Sequence, residues 1–202
     1  MIGTKILEET ESKYNGHLKV LRTWGMGNYI QSNGLTQSGG IVETIWKSTL
    51  RQIPNSKFPI LNCLILGLGG GTLAKLLRKK YPNAKITGVE IDPIMIELGK
   101  KYLSLDKYNI DIKIADASNY SLIPNRYSLV IVDMYSGDNF PKGFESENFL
   151  KKISKFPLVI INRLYYGEKR PDTVRFGKKL EKYFKKVDWF YPEANLMFIC
   201  QP

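Results

Sequence analysis

The stretch that decides the fold is LILGLGGGTLAKLLRKKYPNAKITGVEIDPIMIELGKKYL, residues 64–103. It begins with an apolar run typical of a strand buried on both faces, and a glycine turn then leads into an amphipathic helix that stops before Pro82. A second strand, KITGVEI, precedes a second helix that begins at Pro93, where the missing N–H has no cost. This order of elements predicts parallel strands joined by helices.

The same alternation continues to the end of the chain. NIDIKIAD, SLVIVDMY and LVIINRLY predict three more strands, with a helix near SENFLKKI before the last of them and another over DTVRFGKKLEKYF. KKVDWFYP and NLMFICQ predict a closing antiparallel hairpin. We therefore predict an α/β fold in which residues 51–202 form a Rossmann-like sheet of about seven strands.

Residues 1–50 have a shorter, turn-punctuated pattern. Asn15-Gly16 predicts a turn, and the alternating HLKVLRT that follows predicts a strand of a small antiparallel β-hairpin unit. GGIVETIWKSTLRQI then predicts a helix that leads into the main body. The predicted organisation is a hairpin unit with its leading helix over residues 1–50 and a ligand-binding domain over residues 51–202.

Composition places the chain among soluble globular proteins. It has 202 residues, of which 43% are hydrophobic and 24% charged, so a core can form without a metal or a disulfide. Cys63 and Cys200 both lie in apolar runs and are predicted to be buried thiols. The apolar stretches are too short to span a bilayer, and the N-terminus lacks an apolar signal core. We expect a cytoplasmic protein without a membrane partner.

The charge is strongly positive. Thirty basic residues against 19 acidic ones give a formal net charge of +11, which favours anionic partners such as nucleic acid. Much of this charge is lysine at amphipathic spacing, so solvated helix faces are the preferred explanation and a nucleic-acid partner is left open but not favoured. With a single histidine, His17, and no clustered cysteines, no metal site is predicted.

Chemistry-bearing residues follow the predicted strands, at the edge where ligands bind in such sheets. The first strand is followed by the turn Gly67–Gly71, whose backbone a ligand can approach closely. Glu90 lies 23 residues beyond Gly67, the interval at which an acidic side chain meets ribose hydroxyls. The acidic and neighbouring residues after the second, third and fourth strands are Glu90 and Asp92, Asp116 with Ala117, and Asp133.

The turn restricts the class of nucleotide. Gly71-Thr72-Leu73 lacks the Gly-Lys-Ser/Thr of an ATP or GTP loop, and Thr72 stands where a dinucleotide fingerprint needs glycine or alanine. Acidic residues beside a GxGGG turn suit a ligand that has no phosphate and carries a cationic centre. An adenosyl sulfonium meets both conditions.

These motifs resemble the spermidine-synthase-like family of the class I S-adenosylmethionine-dependent methyltransferase superfamily. The resemblance rests on residues 64–103, on GLTQSGGIVETIW at 34–46 and on IVDMYSGDNFPKGFESENFL at 131–150. It implies that S-adenosylmethionine or its decarboxylated form is bound, and that the protein dimerises through its hairpin unit. The cofactor-binding residues implied are Gly67, Gly69 and Gly70 at the methionine part, Glu90 at the ribose, Asp116 and Ala117 at the adenine, and Gln37 from the hairpin unit. Asp92, two residues after Glu90, is predicted as a further cofactor-binding residue.

The chain departs from the family at the acceptor residues. Aminopropyltransferases of the family carry Asp-Ser-Thr-Asp-Pro after the fourth strand. Here Asp133 matches the first aspartate, but Ser136 replaces the second, and Asp138 follows two residues later. The acidic residues that follow the upstream glutamine are also missing, apart from Glu43. A multiply charged polyamine needs a wall of carboxylates, so methyl transfer to an unidentified small acceptor is the leading hypothesis.

Methyl transfer requires one base within reach of the acceptor, and Asp133 is the first candidate, with Asp138 and Tyr135 as further catalytic candidates. The alternative is aminopropyl transfer to a small amine, for which Asp133, Asp138 and Glu43 would have to form the acidic wall. An N–H-rich or cationic contact near residues 69–72 would favour the methyl donor. A non-catalytic nucleoside- or RNA-binding module is the alternative of another class.

Overall fold

A computed structural model describes residues 3–53 and 59–202. The N-terminal part contains a four-stranded antiparallel sheet whose strands are adjacent in chain order. Its elements are β1 (Thr4–Ser12), β2 (Gly16–Thr23), β3 (Gly27–Ser32) and β4 (Leu35–Gly39), followed by helix α1 (Gly40–Arg51). The predicted hairpins and the predicted helix are therefore confirmed.

The main body is a seven-stranded sheet flanked by helices. Its elements are β5 (Asn62–Leu66), α2 (Thr72–Lys80), β6 (Lys85–Glu90), α3 (Pro93–Leu103), β7 (Asp111–Ile114), β8 (Leu129–Val132), α4 (Glu147–Ile153), β9 (Val159–Leu164), α5 (Lys169–Leu180), β10 (Lys186–Phe190) and β11 (Asn195–Gln201). The strand order is β10-β11-β9-β8-β5-β6-β7, and β11 runs antiparallel to both of its neighbours. The predicted α/β fold with its closing hairpin is confirmed.

The central strands are apolar along their length because both faces of the sheet are covered. Residues 63–66 of β5 and 129–132 of β8 are fully buried. One face packs against α1 and α2 through side chains such as Trp46 and Leu77. The other face packs against α4 and α5, with Phe156 and Leu180 in its core. Cys63 and Cys200 are free and buried, as expected from their apolar surroundings.

The order in which the chain adds strands to the sheet reverses between β5 and β8. From β5 the chain adds β6 and β7 on one side, and it then returns to place β8 on the other side of β5. The backbone N–H of Asp133 donates to the carbonyl of Leu66 at 2.8 Å. The glycine turn after β5 and the loop after β8 therefore start side by side at the switch point, where open α/β sheets bind ligands.

The N-terminal sheet lies on α3. Leu18, Val20 and Ile30 from the sheet pack against Met95 and Leu98 of the helix. Strand β1 was not predicted, because its sequence TKILEETES is largely polar and most of its residues are at least partly exposed. It pairs with β2 as an edge strand. The hairpin unit thereby lies close to the glycine turn.

In the part of the chain that the structure describes, no helix combines the length and the apolar content needed to cross a membrane. The division between two domains near residue 50 stays a prediction.

Candidate functional site

A cavity of about 660 Å³ opens at the carboxyl ends of β5, β6 and β8, under β4 and α1. Its volume lies in the range of ligand sites, roughly 300–1,000 Å³. Seven predicted site residues line it: Gln37, Gly67, Gly69, Glu90, Asp116, Asp133 and Tyr135. Four others, Gly70, Asp92, Ala117 and Asp138, are not among the lining residues.

Hydrogen bonds connect the glycine turn and the start of α2 to the N-terminal sheet. The N–H of Gly70 donates to Ser38 Oγ at 2.7 Å, and the N–H of Gly39 donates to Thr72 Oγ1 at 2.6 Å. A Cβ atom on Gly69 would lie 2.9 Å from Ser38 Oγ, and one on Gly70 would lie 3.0 Å from Ser38 Cβ. Side chains are therefore excluded at positions 69 and 70 by close packing, and Ser38 is a positioning residue that the sequence reasoning did not single out.

Glu90, the last residue of β6, is hydrogen-bonded to the glycine turn. Its Oε2 accepts a hydrogen bond from the Gly69 N–H at 2.7 Å, and its Oε1 accepts from the N–H groups of Ile91 and Asp92 at 2.9 and 3.0 Å. Burial raises the pKa of Glu90, and these backbone donors oppose the shift. The carboxylate lines the cavity while remaining 9% exposed, so it can accept further hydrogen bonds from ligand hydroxyls.

Asp92 lies outside the cavity and connects α3 to the hairpin unit. Its side chain is fully buried, and its Oδ1 caps α3 by accepting from the Ile94 N–H at 3.0 Å. Its Oδ2 accepts from Ser12 Oγ at 2.5 Å and from Asn15 Nδ2 at 2.6 Å. These contacts give Asp92 a structural role, and direct contact with a cofactor stays a prediction.

The residues predicted at the adenine are arranged on a short turn. Asp116 Oδ1 accepts from the Ser118 N–H at 2.8 Å, and the Asp116 side chain lines the cavity. Ala117 is only 3% exposed and belongs to the core beneath the turn. Gln37 Nε2 donates to the carbonyl of Gly137 at 3.3 Å, so it connects the N-terminal sheet to the loop after β8.

Asp133 faces the cavity with both carboxylate oxygens held. Oδ2 accepts from Trp46 Nε1 at 3.0 Å, and Oδ1 accepts from Asn162 Nδ2 at 2.8 Å. Asn162 Oδ1 in turn accepts from Asn195 Nδ2 at 2.8 Å. Burial raises the pKa of Asp133 to about 6, although the two donors favour the ionised form. A carboxylate with such a pKa can accept a proton near neutral pH.

Trp46, Asn162 and Asn195 were not found from the sequence. Trp46 lies on a helix in which its apolar ring indicates only core packing. The amides of Asn162 and Asn195 offered a signal, because each borders an apolar run: Asn162 follows VII in β9, and Asn195 precedes LMFIC in β11. Both are 6% exposed and hydrogen-bonded, as buried amides must be.

The other two catalytic candidates are engaged elsewhere. The Tyr135 hydroxyl accepts from the Leu164 N–H at 2.7 Å and donates to the Asn162 carbonyl at 3.2 Å, and burial raises the pKa of the phenol. Asp138 forms an ion pair with Lys169 at 2.8 Å, which lowers the pKa of Asp138. Of the three candidates, only Asp133 presents a carboxylate to the cavity.

Glu43 also lies outside the cavity lining. It forms an ion pair with Lys75 at 2.9 Å, between α1 and α2. Within residues 3–53 and 59–202, no group of three or more His, Cys, Asp and Glu side chains is arranged to hold a metal ion.

Comparison with known proteins agrees with this geometry. Residues 63–155 match the model of a methyltransferase domain. The mouse eEF1A lysine and N-terminal methyltransferase is 28% identical over 157 residues, which cover 70% of this chain and 22% of that protein. The polyamine aminopropyltransferase of Vibrio vulnificus is 29% identical over 97 residues, which cover 46% of this chain and 32% of that protein. The matches thus span a third or less of these relatives.

Solved structures show the same fold. A probable spermidine synthase from Corynebacterium glutamicum superposes with a TM-score of 0.78 at 19% identity, over 98% of this chain and 80% of that chain. Human methyltransferase-like protein 13 in complex with SAH superposes with a TM-score of 0.57 at 23% identity, over 80% and 79% of the two chains. Residues 63–155 are thus similar to a methyltransferase domain, and the chain shares its fold with these solved structures.

Proposed function

We propose that the chain transfers a methyl group from S-adenosylmethionine to an amine nitrogen of a small acceptor. The observation that carries the proposal is Asp133, a carboxylate that faces the cavity beside the glycine turn and is held by Trp46 and Asn162. The similar methyltransferase and the similar aminopropyltransferase are both named for amine acceptors: a lysine or N-terminus for the first, and a polyamine for the second.

The cavity residues fit an adenosyl sulfonium better than a phosphate ligand. The N–H groups of Gly69, Gly70 and Gly71 already donate to Glu90, Ser38 and Leu68, so these three are engaged within the protein. The carboxylates of Glu90 and Asp116 would hold ribose hydroxyls and the adenine amine, and the glycines at 67 and 69, which line the cavity, leave room for the methionine part. Because these N–H groups are engaged, they give no reason to prefer S-adenosylmethionine over its decarboxylated form. The choice between the two donors therefore rests on the residues that would surround the acceptor.

The chemistry needs one proton acceptor from the protein. S-adenosylmethionine, when bound, supplies a methyl carbon attached to a positively charged sulfur. Asp133 orients the acceptor and takes the proton that its ammonium must lose before the nitrogen lone pair can form a bond to the methyl carbon. The electron pair of the breaking carbon–sulfur bond stays on sulfur, so charge and atoms balance.

The carboxylates available to the acceptor favour methyl transfer over aminopropyl transfer. The aminopropyl alternative needs Asp133, Asp138 and Glu43 around one amine. Asp138 is paired with Lys169 and Glu43 with Lys75, and neither lines the cavity. A multiply charged amine would therefore lose its hydration on binding and find too few carboxylates in the cavity to compensate for that loss.

Asp133→Asn tests the proposal. We expect the variant to bind S-adenosylmethionine with nearly unchanged affinity in calorimetry and to lose at least about a hundredfold in methyl transfer to a panel of amines, because an amide cannot accept the proton. When the wild-type protein is offered S-adenosylmethionine and decarboxylated S-adenosylmethionine together, mass spectrometry of the product distinguishes a methyl from an aminopropyl addition. Full turnover by the variant would contradict the role of Asp133, and an aminopropyl product would replace the proposed reaction by the alternative.

A further inference from the structure

One face of α1 forms an apolar wall of the cavity. Ile41, Val42, Ile45 and Trp46 all line the cavity, and their spacing places them on one side of the helix. The Trp46 indole also donates to Asp133 Oδ2 at 3.0 Å, so this wall begins at the carboxylate that receives the acceptor. Ile45 and Trp46 are buried, whereas Ile41 is 39% exposed at the mouth.

Negative charge is sparse on this side of the cavity. Among the described residues that line it, the carboxylates are Glu90, Asp116, Asp133 and Glu193. Glu90 and Asp116 are the carboxylates proposed to bind S-adenosylmethionine, and Glu193 is exposed in the turn before β11. The carboxylate of α1 itself, Glu43, is held by Lys75 through both of its oxygens at 2.9 Å.

These observations define what an acceptor can carry. Along the wall formed by α1, the amine that reacts finds one carboxylate, Asp133. The rest of the acceptor lies along aliphatic side chains, where an apolar body is stabilised by leaving water and a second ammonium would be desolvated without a partner. Resting on the proposed function, we infer that the acceptor is an amine with a single positive charge and an apolar body, rather than a diamine or polyamine.

A pair of amines of equal length tests this inference. Hexylamine and 1,6-diaminohexane share a six-carbon chain and differ by one ammonium. Each is titrated by calorimetry into the protein saturated with S-adenosylhomocysteine, so that binding is measured without turnover. We expect hexylamine to bind at least about tenfold more tightly, because the diamine must desolvate a second charge.

The outcomes separate this inference from the function on which it rests. If S-adenosylhomocysteine binds but the diamine binds as tightly as hexylamine or more tightly, the inference is wrong and the cofactor site stands. Binding of neither amine to the saturated protein also overturns it. Failure of S-adenosylhomocysteine itself to bind would overturn the proposed function, and the inference with it.

Ile41→Glu adds the missing charge at a position that tolerates it, because Ile41 is partly exposed and lies in the first turn of α1, where an acidic residue is favourable. We expect the variant to gain about tenfold in affinity for 1,6-diaminohexane and to lose affinity for hexylamine. Thr44→Glu is the control, since Thr44 lies on the same helix, is exposed and does not line the cavity. Equal effects of the two substitutions would show a general charge effect and contradict the inference.

Discussion

A Cβ atom on Gly67 would lie 2.2 Å from the carbonyl oxygen of Asp133. The two residues directly follow the neighbouring parallel strands β5 and β8, and the φ of Gly67 is +86°, a conformation that residues with side chains rarely adopt. The glycine turn and the loop that carries Asp133 are therefore in direct backbone contact. This contact sets the distance between the proposed donor site and the proposed base.

Gly67→Ala should separate these two segments. The methyl group would collide with backbone atoms that cannot rotate away, in addition to the strain of a positive φ. We expect a loss of at least about 3 kcal/mol in the free energy of unfolding and weakened S-adenosylmethionine binding. Gly137→Ala is the control, since its φ is also positive, at +63°, but no atom lies within 4 Å of its Cβ. A similar small loss in both variants would argue against the close contact.

Glu90→Gln should weaken cofactor binding. The neutral amide presents one oxygen where the carboxylate presents two, so it cannot accept from Gly69 on one side and from Ile91 and Asp92 on the other. We expect at least about a tenfold loss of S-adenosylmethionine affinity, from the lost charge and the loosened turn. Glu97→Gln, on the exposed side of α3, should change nothing. Unchanged affinity in Glu90→Gln would contradict the placement of the nucleoside.

The pH dependence of methyl transfer should follow Asp133. Its pKa is raised to about 6, and only the ionised form accepts a proton, so kcat/KM should rise as the pH increases through about 6. Trp46→Phe removes a donor to the ionised form and should move this rise to higher pH. Trp24→Phe is the matched control, because Trp24 is 82% exposed in the turn between β2 and β3. An unmoved profile in Trp46→Phe would contradict the assignment.

The same pKa shift has a consequence for stability. Because the folded-state pKa of Asp133 lies above its ordinary value of 3.8, the folded protein binds this proton more tightly than the unfolded chain does. The stabilisation from this group is fully present below pH 3.8 and is lost as the pH rises through about 6. Asp133→Asn should remove this dependence, and thermal unfolding measured across that pH range tests it.

Asp92→Ala separates a structural role from cofactor binding. The substitution removes the cap of α3 and leaves the side chains of Ser12 and Asn15 without their acceptor. We expect a loss of about 3 kcal/mol in the free energy of unfolding, with S-adenosylmethionine affinity changed less than threefold at a temperature where the variant is folded. Asp106→Ala, at an exposed position, is the control. A tenfold or greater loss of affinity in the folded variant would instead favour direct contact with the cofactor.

The fold could be predicted from the sequence because periodicity and turn chemistry agree along most of the chain. The apolar run of β5, the glycine turn and Pro93 at the start of α3 each indicate one structure. Strand β1 was missed because it is polar and its stability comes from pairing with β2, a contact that local patterns do not contain.

The site could be predicted only in part. Residues that follow a parallel strand are brought to one edge by topology alone, so Glu90, Asp116 and Asp133 were found as a set. Which of them face the cavity depends on side-chain partners: Asp92 turns to Ser12 and Asn15, and Asp138 to Lys169. The donors to Asp133 come from α1 and β9, far away in sequence.

Parallel calorimetric titration with S-adenosylmethionine, decarboxylated S-adenosylmethionine and methylthioadenosine tests the central claim most directly, since it requires no knowledge of the acceptor. We predict that S-adenosylmethionine binds, and that the decarboxylated form, with its greater positive charge, binds no more tightly, because Asp138 and Glu43 are paired with lysines. A clear preference for the decarboxylated form, or binding of none of the three, would contradict the account.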